Sequence, residues 1–215
     1  VGTLARNFTF NREVNYPEFR PGATTGNVNS RRPFNPGILS NIQMIEPSAT
    51  SNYHGLQLNI DKRFAHGFSL KGFYTFSKTI ALGGLEGGNM PGAAQNHTKL
   101  FLDRGRSSAD RTHNFVLSGI WDINYLQGGT ALARWLANGW QLSTIASLRS
   151  GEPFSVTTGR DNNLDGANFD RANLVGDPYL SPNRSRQEVI AMWFNTAAFN
   201  NLAAGGEDGT SVSVL

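Results

Sequence analysis

The sequence predicts an all-β fold, an antiparallel transmembrane β-barrel segment of about five or six strands. Three observations lead to this prediction. Several segments alternate apolar and polar residues with a period of two, the composition is rich in glycine and poor in charge, and short turns alternate with long polar loops. Short turns on one side and long loops on the other are typical of membrane barrels.

The composition favours strands over helices. The 215 residues include 24 glycines and 9 prolines, and 16% are charged, against about a quarter in an ordinary soluble domain. There is no cysteine, which excludes a disulfide scaffold, a thiolate zinc site and a cysteine nucleophile. The formal net charge is only +3 and the basic residues are scattered, so we do not expect nucleic acid as a partner.

Membrane helices are not expected either. No apolar run approaches the roughly 20 residues that a membrane-spanning helix needs, whereas a barrel strand needs only about 10 alternating residues. The chain starts at Val1 with neither an initiator methionine nor a signal peptide. We therefore expect a mature or internal fragment.

The clearest alternation predicts a hairpin. It runs over residues 53–64, turns at residues 65–67, where Gly67 permits a positive φ, and resumes over residues 68–77. On the first strand, the apolar side carries Leu56, Leu58, Ile60 and Phe64. The polar side carries Gln57, Asn59, Asp61 and Arg63. Before this hairpin, residues 1–10 and 38–46 could each form a strand.

The second half repeats the pattern of strands and loops. Residues 81–111 predict a long loop because they are rich in Gly, Asn, Asp and Arg and show no periodicity. Alternation over residues 113–125 and 140–150 predicts two more strands, the second of which could continue through residue 158. Between them, residues 126–139 form a predicted turn with a helical turn at 131–136. A second long polar stretch covers residues 159–192.

Aromatic residues lie near the ends of the apolar faces, as in the interfacial girdles of membrane barrels. They are Phe64, Phe68, Trp121, Tyr125 and Trp140. A soluble antiparallel sandwich has alternating strands too. The two long loops favour the membrane barrel, because loops beyond about 15 residues are uncommon in compact soluble domains.

Several short motifs resemble one family in their order and spacing. They are SNYHGLQL (51–58), KRF (62–64), GFSL (67–70), YTFSK (74–78), DRG (103–105), DRTHNFVLS (110–118), GWQLS (139–143), SGEPF (150–154), RANLVGDP (171–178) and WFNTAAF (193–199). Together they are similar to the barrel region of TonB-dependent receptors, specifically the Oar-like group that carries a carboxypeptidase-regulatory-like N-terminal domain. The resemblance spans about residues 29–199, and the tail after Phe199 departs from it.

The resemblance implies a function. Such receptors form a large barrel of about 22 strands with a plugged lumen in the bacterial outer membrane, and they import bulky ligands with energy delivered by the TonB complex. Residues 1–215 would be a partial barrel domain, and we expect the plug and N-terminal domains to be absent. The expected partners are outer-membrane lipid, the imported ligand and, through the missing N-terminal part, the TonB complex.

Polar side chains on the strands are the candidate ligand contacts, because they would face the lumen of an intact barrel. The candidates are Gln57, Asn59, Lys71, Gln141 and Arg149. The alternative is that these residues are structural lumen residues without a specific ligand.

A candidate calcium loop occupies residues 161–166. Asp161, Asn163 and Asp165, followed by Gly166, match the start of an EF-hand-type loop. Its twelfth position is an alanine where a bidentate Glu is required, and Asp170 is a candidate substitute. The alternative is a surface loop whose Asn and Asp side chains hydrogen-bond their own backbone.

No constellation predicts an enzyme or a bound cofactor. The four histidines show no metal-ligand spacing, and no phosphate-binding glycine loop is present. Acidic residues at Asp103 and Glu152 are not brought together by any pattern, and we expect Arg104, Arg106 and Arg111 to pair with carboxylates. We therefore expect no catalytic residues. The alternative function is a soluble or surface-attached β-rich binding or adhesion module that recognises a glycan or a protein through its long loops.

Overall fold

A computed structural model describes residues 1–82, 94–124, 126–168, 170–200 and 208–210. The chain divides into two compact units. The strand unit comprises Val1–Thr3, Tyr53–Lys78 and Arg111–Gly151. The loop unit comprises Leu4–Asn52, Thr79–Asp110 and Glu152–Leu215. Three long strands contribute residues to both units.

One antiparallel sheet of six strands dominates the described residues, which confirms the predicted fold class and strand number. Its strands are β1 (Gly2–Glu13), β2 (Gln43–Ala65), β3 (Phe68–Leu82), β4 (Arg104–Arg106), β5 (His113–Ile123) and β6 (Trp140–Arg149). They follow the order β1-β2-β3-β5-β6, with β4 paired to β3. Strands that follow each other in sequence are therefore mostly neighbours in the sheet.

The predicted hairpin is confirmed. Between β2 and β3, His66 and Gly67 have φ angles of 55° and 83°, the positive values of the type I′ turns that suit the twist of a hairpin. The strand predicted over residues 113–125 extends to Ile123, and Tyr125 lies outside the described residues. The predicted strand at 140–150 is β6.

The predicted helical turn is also confirmed. Helix α1 (Ala131–Ala137) starts at Thr130, whose side-chain oxygen accepts a hydrogen bond from the Ala133 N–H at 3.3 Å. Capping of this kind satisfies one of the unpaired donors at a helix start. No helix in the described ranges is both long enough and apolar enough to cross a membrane.

Several of the predicted boundaries are wrong. Strand β3 continues to Leu82, and β4 forms inside the predicted loop at 81–111 by pairing with it, Ile80 opposite Arg106. Three residues are too few to show alternation. The strand β6 does not continue to residue 158; only an isolated bridge joins Thr157 to Arg171. Pro153, which has no N–H to donate, interrupts that segment.

The long polar stretch at 159–192 contains short regular elements that the prediction missed. They are β7 (Asn173–Leu174), which pairs with β8 (Phe199–Asn200), and helix α2 (Arg186–Ala191), which is capped by Ser185 and Glu188. Near the start of the chain, β1 extends the predicted strand at 1–10 to Glu13. The strand predicted at 38–46 begins only at Gln43.

The interior of the loop unit is polar. Among the described residues, its buried apolar cluster comprises Phe10, Ala49 and Ala94, with Leu100 packed against it. Asn15, Asp110 and Asp170 are buried as completely as any residue described. Buried polar groups must be hydrogen-bonded, so the hydrogen bonds of these side chains order the loops.

Candidate functional site

The sheet of the strand unit has an apolar face. Strand register places Phe68 opposite Trp121 and Gly72 opposite Leu117. The β5–β6 register adds Leu142, Ala146 and Leu148 to the same side. Large apolar side chains here are exposed: Leu142 by 55% and Leu148 by 66%. An apolar surface of this extent marks an interaction site or a membrane contact.

Strand β2 joins this face through two contacts. The Lys62 Nζ atom lies 3.9 Å from the centroid of the Phe68 ring. A Cβ atom built on Gly72 would lie 3.9 Å from the Cβ of Ile60. Because side chains alternate along a strand, Leu58 shares the apolar face, as the sequence predicts.

The opposite side of the sheet is the polar face. Lys71 lies 3.8 Å from the Asp61 carboxylate, so Gln57 and Asn59 lie on this side as well. Gln141 donates to the Asp122 carboxylate at 2.8 Å. All five predicted ligand contacts lie on the polar face; the remaining member, Arg149, is opposite Asn114. Whether they contact a ligand stays a prediction.

A concavity of about 920 Å³ lies over the polar face. Its lining combines charged, hydroxyl and aliphatic side chains, among them Asp61, Arg63, Ser69, Lys71, Ile120 and Ile145. Only Lys71 among the five predicted contacts lines it. The alternation of apolar and polar residues had placed Asp61 and Arg63 on the polar side. Ile120 and Ile145 are apolar residues on that side, so the alternation did not predict that they line the concavity. The concavity offers cationic groups and apolar surface to a large molecule.

Three residues of the predicted aromatic girdle, Phe68, Trp121 and Trp140, lie on the apolar face. Phe64 lines the concavity over the polar face, and Tyr125 lies outside the described residues. Phe68 and Trp121 are direct cross-strand partners, and Trp140 is opposite Ile123. Phe64 is 56% exposed and Trp140 61% exposed. These side chains lie near the short turns, where an interfacial belt would be needed.

The candidate calcium loop uses its side-chain oxygens internally. The Asp161 carboxylate accepts hydrogen bonds from the N–H groups of Asp165 and Gly166, both at 2.9 Å. Asn163 Oδ1 accepts from the Asp165 N–H at 3.1 Å. Asp165 accepts from the Ala167 N–H at 2.7 Å and from the Tyr16 hydroxyl at 3.1 Å. This is the alternative arrangement, in which the loop caps its own backbone.

Asp170, considered as a substitute calcium ligand, accepts hydrogen bonds from the N–H groups of Asn162 and Asn163. Burial raises the pKa of Asp170 to about 6. Within the described ranges, no group of three or more acidic, histidine or cysteine side chains is arranged to hold a metal ion. Calcium binding stays a prediction that these hydrogen bonds do not favour.

Arginine–carboxylate pairs order the loops, partly as predicted. The Arg106 guanidinium lies 2.7 Å from the Asp110 carboxylate, which also accepts from the Thr79 N–H at 2.7 Å. Asp103, however, is paired with Arg171, 68 residues away. Burial raises the pKa of Asp103, and the neighbouring Arg171 opposes that shift. No local signal in the sequence indicates this pair.

Comparison with known proteins gives one match. The model of the outer membrane beta barrel domain family matches residues 1–213, nearly the whole chain. Searches of the curated proteins and of the solved structures find no match. The two-faced antiparallel sheet agrees with the family match. The chain therefore belongs to the outer membrane beta barrel domain family and is located in the bacterial outer membrane.

Proposed function

We propose that the chain is part of a TonB-dependent receptor barrel that takes up a bulky ligand through the outer membrane. One observation carries the proposal: an exposed apolar face backs directly onto a polar face with a concavity of about 920 Å³. In a barrel, the apolar side contacts lipid and the polar side lines the lumen. Outer-membrane lipid is then the partner of Leu58 and Leu142.

The size and charge of the concavity indicate the kind of ligand. Its volume is at the upper end of the roughly 300–1,000 Å³ range of small-molecule sites, which suits a bulky molecule. Arg63 and Lys71 supply positive charge, and Ile120 and Ile145 supply apolar contact. In this proposal the chain contributes ligand contacts and no catalysis.

Dependence on TonB is supported by the resemblance of the sequence motifs to TonB-dependent receptors. The GWQLS motif begins β6, and the DRTHNFVLS motif leads into β5. These two strands pair along ten residues at one edge of the two-faced sheet. The TonB complex would act through other parts of the receptor.

The exposure of the apolar face disfavours the alternative, a soluble sandwich. In a sandwich, the apolar sides of two sheets interdigitate and are buried. Leu56, Leu58 and Ile60 are instead 56%, 53% and 64% exposed. A binding module of that kind would need a second sheet over this surface.

Cysteine labelling tests the orientation of the two faces. Because the chain has no cysteine, Ser143→Cys on the polar face and Leu142→Cys on the apolar face each introduce one thiol, one residue apart. In membranes, we expect a water-soluble maleimide to label position 143, and position 142 only after detergent is added. Labelling of position 142 alone would overturn the proposed orientation.

An uptake experiment tests the TonB requirement separately. Cells with and without the gene would be grown on ferric siderophores, oligosaccharides or peptides as limiting nutrients, each with TonB present or deleted. We expect one nutrient whose use needs both the receptor and TonB. Use that needs the receptor but persists without TonB would indicate a passive barrel instead.

A further inference from the structure

Helix α1 carries an exposed apolar side. Leu132, Trp135 and Leu136 are 65%, 75% and 56% exposed. Residues three and four apart lie on the same side of a helix, so these three side chains form one surface. None of the seven residues of α1, all of them within the described ranges, is buried. Large apolar side chains clustered on a surface mark a site of interaction with another molecule or with a membrane.

Hydrogen bonds fix the position of α1 at the end of β5 and β6. The Asn138 side chain closes the segment, because its Nδ2 donates to the Leu126 carbonyl at 2.7 Å and its Oδ1 accepts from the Leu126 N–H at 3.0 Å. The Gly139 N–H donates to the Asn124 side chain at 2.7 Å. Gly139 has a φ of 81°, a value that favours glycine where the chain turns into β6. These contacts define where the apolar side of α1 lies relative to the strands.

Trp140 connects α1 to the apolar face of the sheet. Its ring N–H donates to the Leu136 carbonyl at 2.8 Å, one of the carbonyls that a helix end leaves without a partner inside the helix. Strand register places Trp140 opposite Ile123 and two residues before Leu142, so its ring lies on the apolar face. The exposed apolar residues of α1 and those of the strands are therefore joined at Trp140.

The other side of α1 carries a positive charge. Each residue of a helix is rotated by about 100° from the one before it, so Arg134 projects nearly opposite Leu132. Arg134 is exposed, and the sequence of α1 contains no acidic residue. A guanidinium binds phosphate through two hydrogen bonds at once. The helix thus combines an apolar side with a cationic group on the opposite side.

This combination fits the surface of a phospholipid bilayer. A helix with leucine and tryptophan on one side and arginine on the other lies in the plane of the interface, with its apolar side in the lipid. Tryptophan is enriched at that depth. The family match places the chain in the outer membrane, so a bilayer is adjacent. A protein partner is disfavoured, because stable protein interfaces use about 20–30 residues on each side and α1 has seven.

We propose that α1 is an interfacial helix that binds the phospholipid headgroup layer, with Leu132, Trp135 and Leu136 in the lipid and Arg134 at the phosphates. This placement of α1 rests on the proposed orientation, in which the apolar face of the sheet contacts lipid. It adds a membrane contact outside the strands, and that contact needs neither TonB nor an imported ligand.

Fluorescence quenching tests the position of α1 in the full chain. The chain has no cysteine, so Leu132→Cys and Trp135→Cys each place one fluorophore on the apolar side. The labelled proteins are reconstituted in vesicles of phosphatidylethanolamine and phosphatidylglycerol. Lipids with a nitroxide close to the headgroup report lipid contact, and iodide on both sides of the membrane reports contact with water. The matched control is Ala137→Cys, an exposed position on the same side of α1 as Arg134.

We expect the nitroxide lipids to quench the label at position 132, and iodide to leave it bright. The label at position 137 should show the reverse, with quenching by iodide and little by the nitroxide lipids. Position 135 should behave like position 132, and it carries the test if Leu132→Cys does not fold.

Two results at α1 itself would overturn the proposal. Equal quenching by iodide at positions 132 and 137 would show that α1 lies in water. A label at position 132 that is shielded from both iodide and the nitroxide lipids would show that a protein surface, such as a second copy of this chain, covers the helix.

A label at Leu142→Cys separates these results from a failure of the proposed orientation. If the nitroxide lipids quench position 142 while iodide quenches position 132, the orientation of the sheet stands and the placement of α1 alone is wrong. Quenching of position 142 by iodide would overturn the orientation of the sheet, and the placement of α1 with it.

Discussion

Phe68 of β3 and Trp121 of β5 are direct cross-strand partners on the apolar face, and their side chains are 37% and 45% exposed. They lie beside the hairpin turn, where the Asp122 N–H donates to the Gly67 carbonyl at 2.7 Å. Large exposed rings at the end of a strand pair are costly in water but favourable at a membrane interface. In the proposed barrel, this pair would lie where the apolar face meets the edge of the bilayer.

A charge in the middle of the apolar face should impair insertion. Leu58→Arg and Leu117→Arg are each expected to cost about 2–4 kcal/mol near mid-bilayer, because the guanidinium would face hydrocarbon. The measurement is the folding equilibrium of the full-length protein in lipid vesicles. Asn59→Arg, one residue away on the polar face, is the control and should insert like the parent. Equal insertion of Leu58→Arg would contradict the lipid-facing assignment.

The hairpin turn should depend on Gly67. Its φ of 83° lies in the left-handed region, where a Cβ costs about 1–2 kcal/mol. Gly67→Ala should therefore lower the free energy of unfolding in urea by about that amount. Gly151→Ala is the control, since that residue is not in the left-handed region and has open space around it. Equal destabilisation by both variants would show that the turn geometry is unimportant.

Removing one partner of the buried Asp103–Arg171 pair should destabilise the loop unit more than removing both. Both side chains are less than 9% exposed, and Arg171 also donates to the Leu102 carbonyl at 3.1 Å. Arg171→Met strands a buried carboxylate, which costs about 3–5 kcal/mol. We expect faster proteolysis of the loop unit. The double variant Asp103→Leu with Arg171→Met should recover much of the resistance, and no recovery would argue against a paired charge.

His97 should make the loop unit sensitive to acid. Burial lowers its pKa to about 4, against a usual value of about 6.5. Between these values the unfolded chain binds more protons than the folded one, so stability is lost as the pH falls from about 6.5 to 4, by about 3 kcal/mol in total. His97→Gln, which can still accept from the Glu13 N–H, should lose this dependence in urea unfolding.

Asp170 should change stability with pH in the opposite direction to His97, and it therefore serves as a control. Burial raises its pKa to about 6, above the usual value of about 3.9, so the folded chain binds the extra proton. Its contribution is present at low pH and is lost as the pH rises through about 6. Relative to the parent, Asp170→Asn and His97→Gln should therefore change the pH slope in opposite directions. Slopes identical to the parent's would contradict both assignments.

Much of the strand unit could be predicted because its interactions are local or between neighbouring strands. Alternation located the hairpin, β5 and β6, and the helical turn predicted at residues 131–136 is α1. Alternation did not predict the structure where a strand was too short to show it or where apolar residues interrupted the polar face. Three-residue β4 pairs with the distant end of β3, and Ile120 and Ile145 lie on the polar face without any signal that they line a concavity.

The loop unit shows the same limit more sharply. The pairing of Asp103 with Arg171 and the convergence of Gln95, His97 and Asp165 on one cavity join residues far apart in the chain. Asn and Asp side chains form such contacts wherever the backbone brings partners within about 3 Å. The composition shows that hydrogen-bonding partners are present. Only the folded backbone determines which of them are in contact.

The sequence by itself determined the fold class, the two faces of the strands and the composition suited to an outer membrane. Side-chain direction follows directly from position along a strand, so these features need no tertiary information. Tertiary structure alone decided which polar groups share a cavity and which are left unpaired, because those outcomes depend on distances between loops that no local pattern constrains.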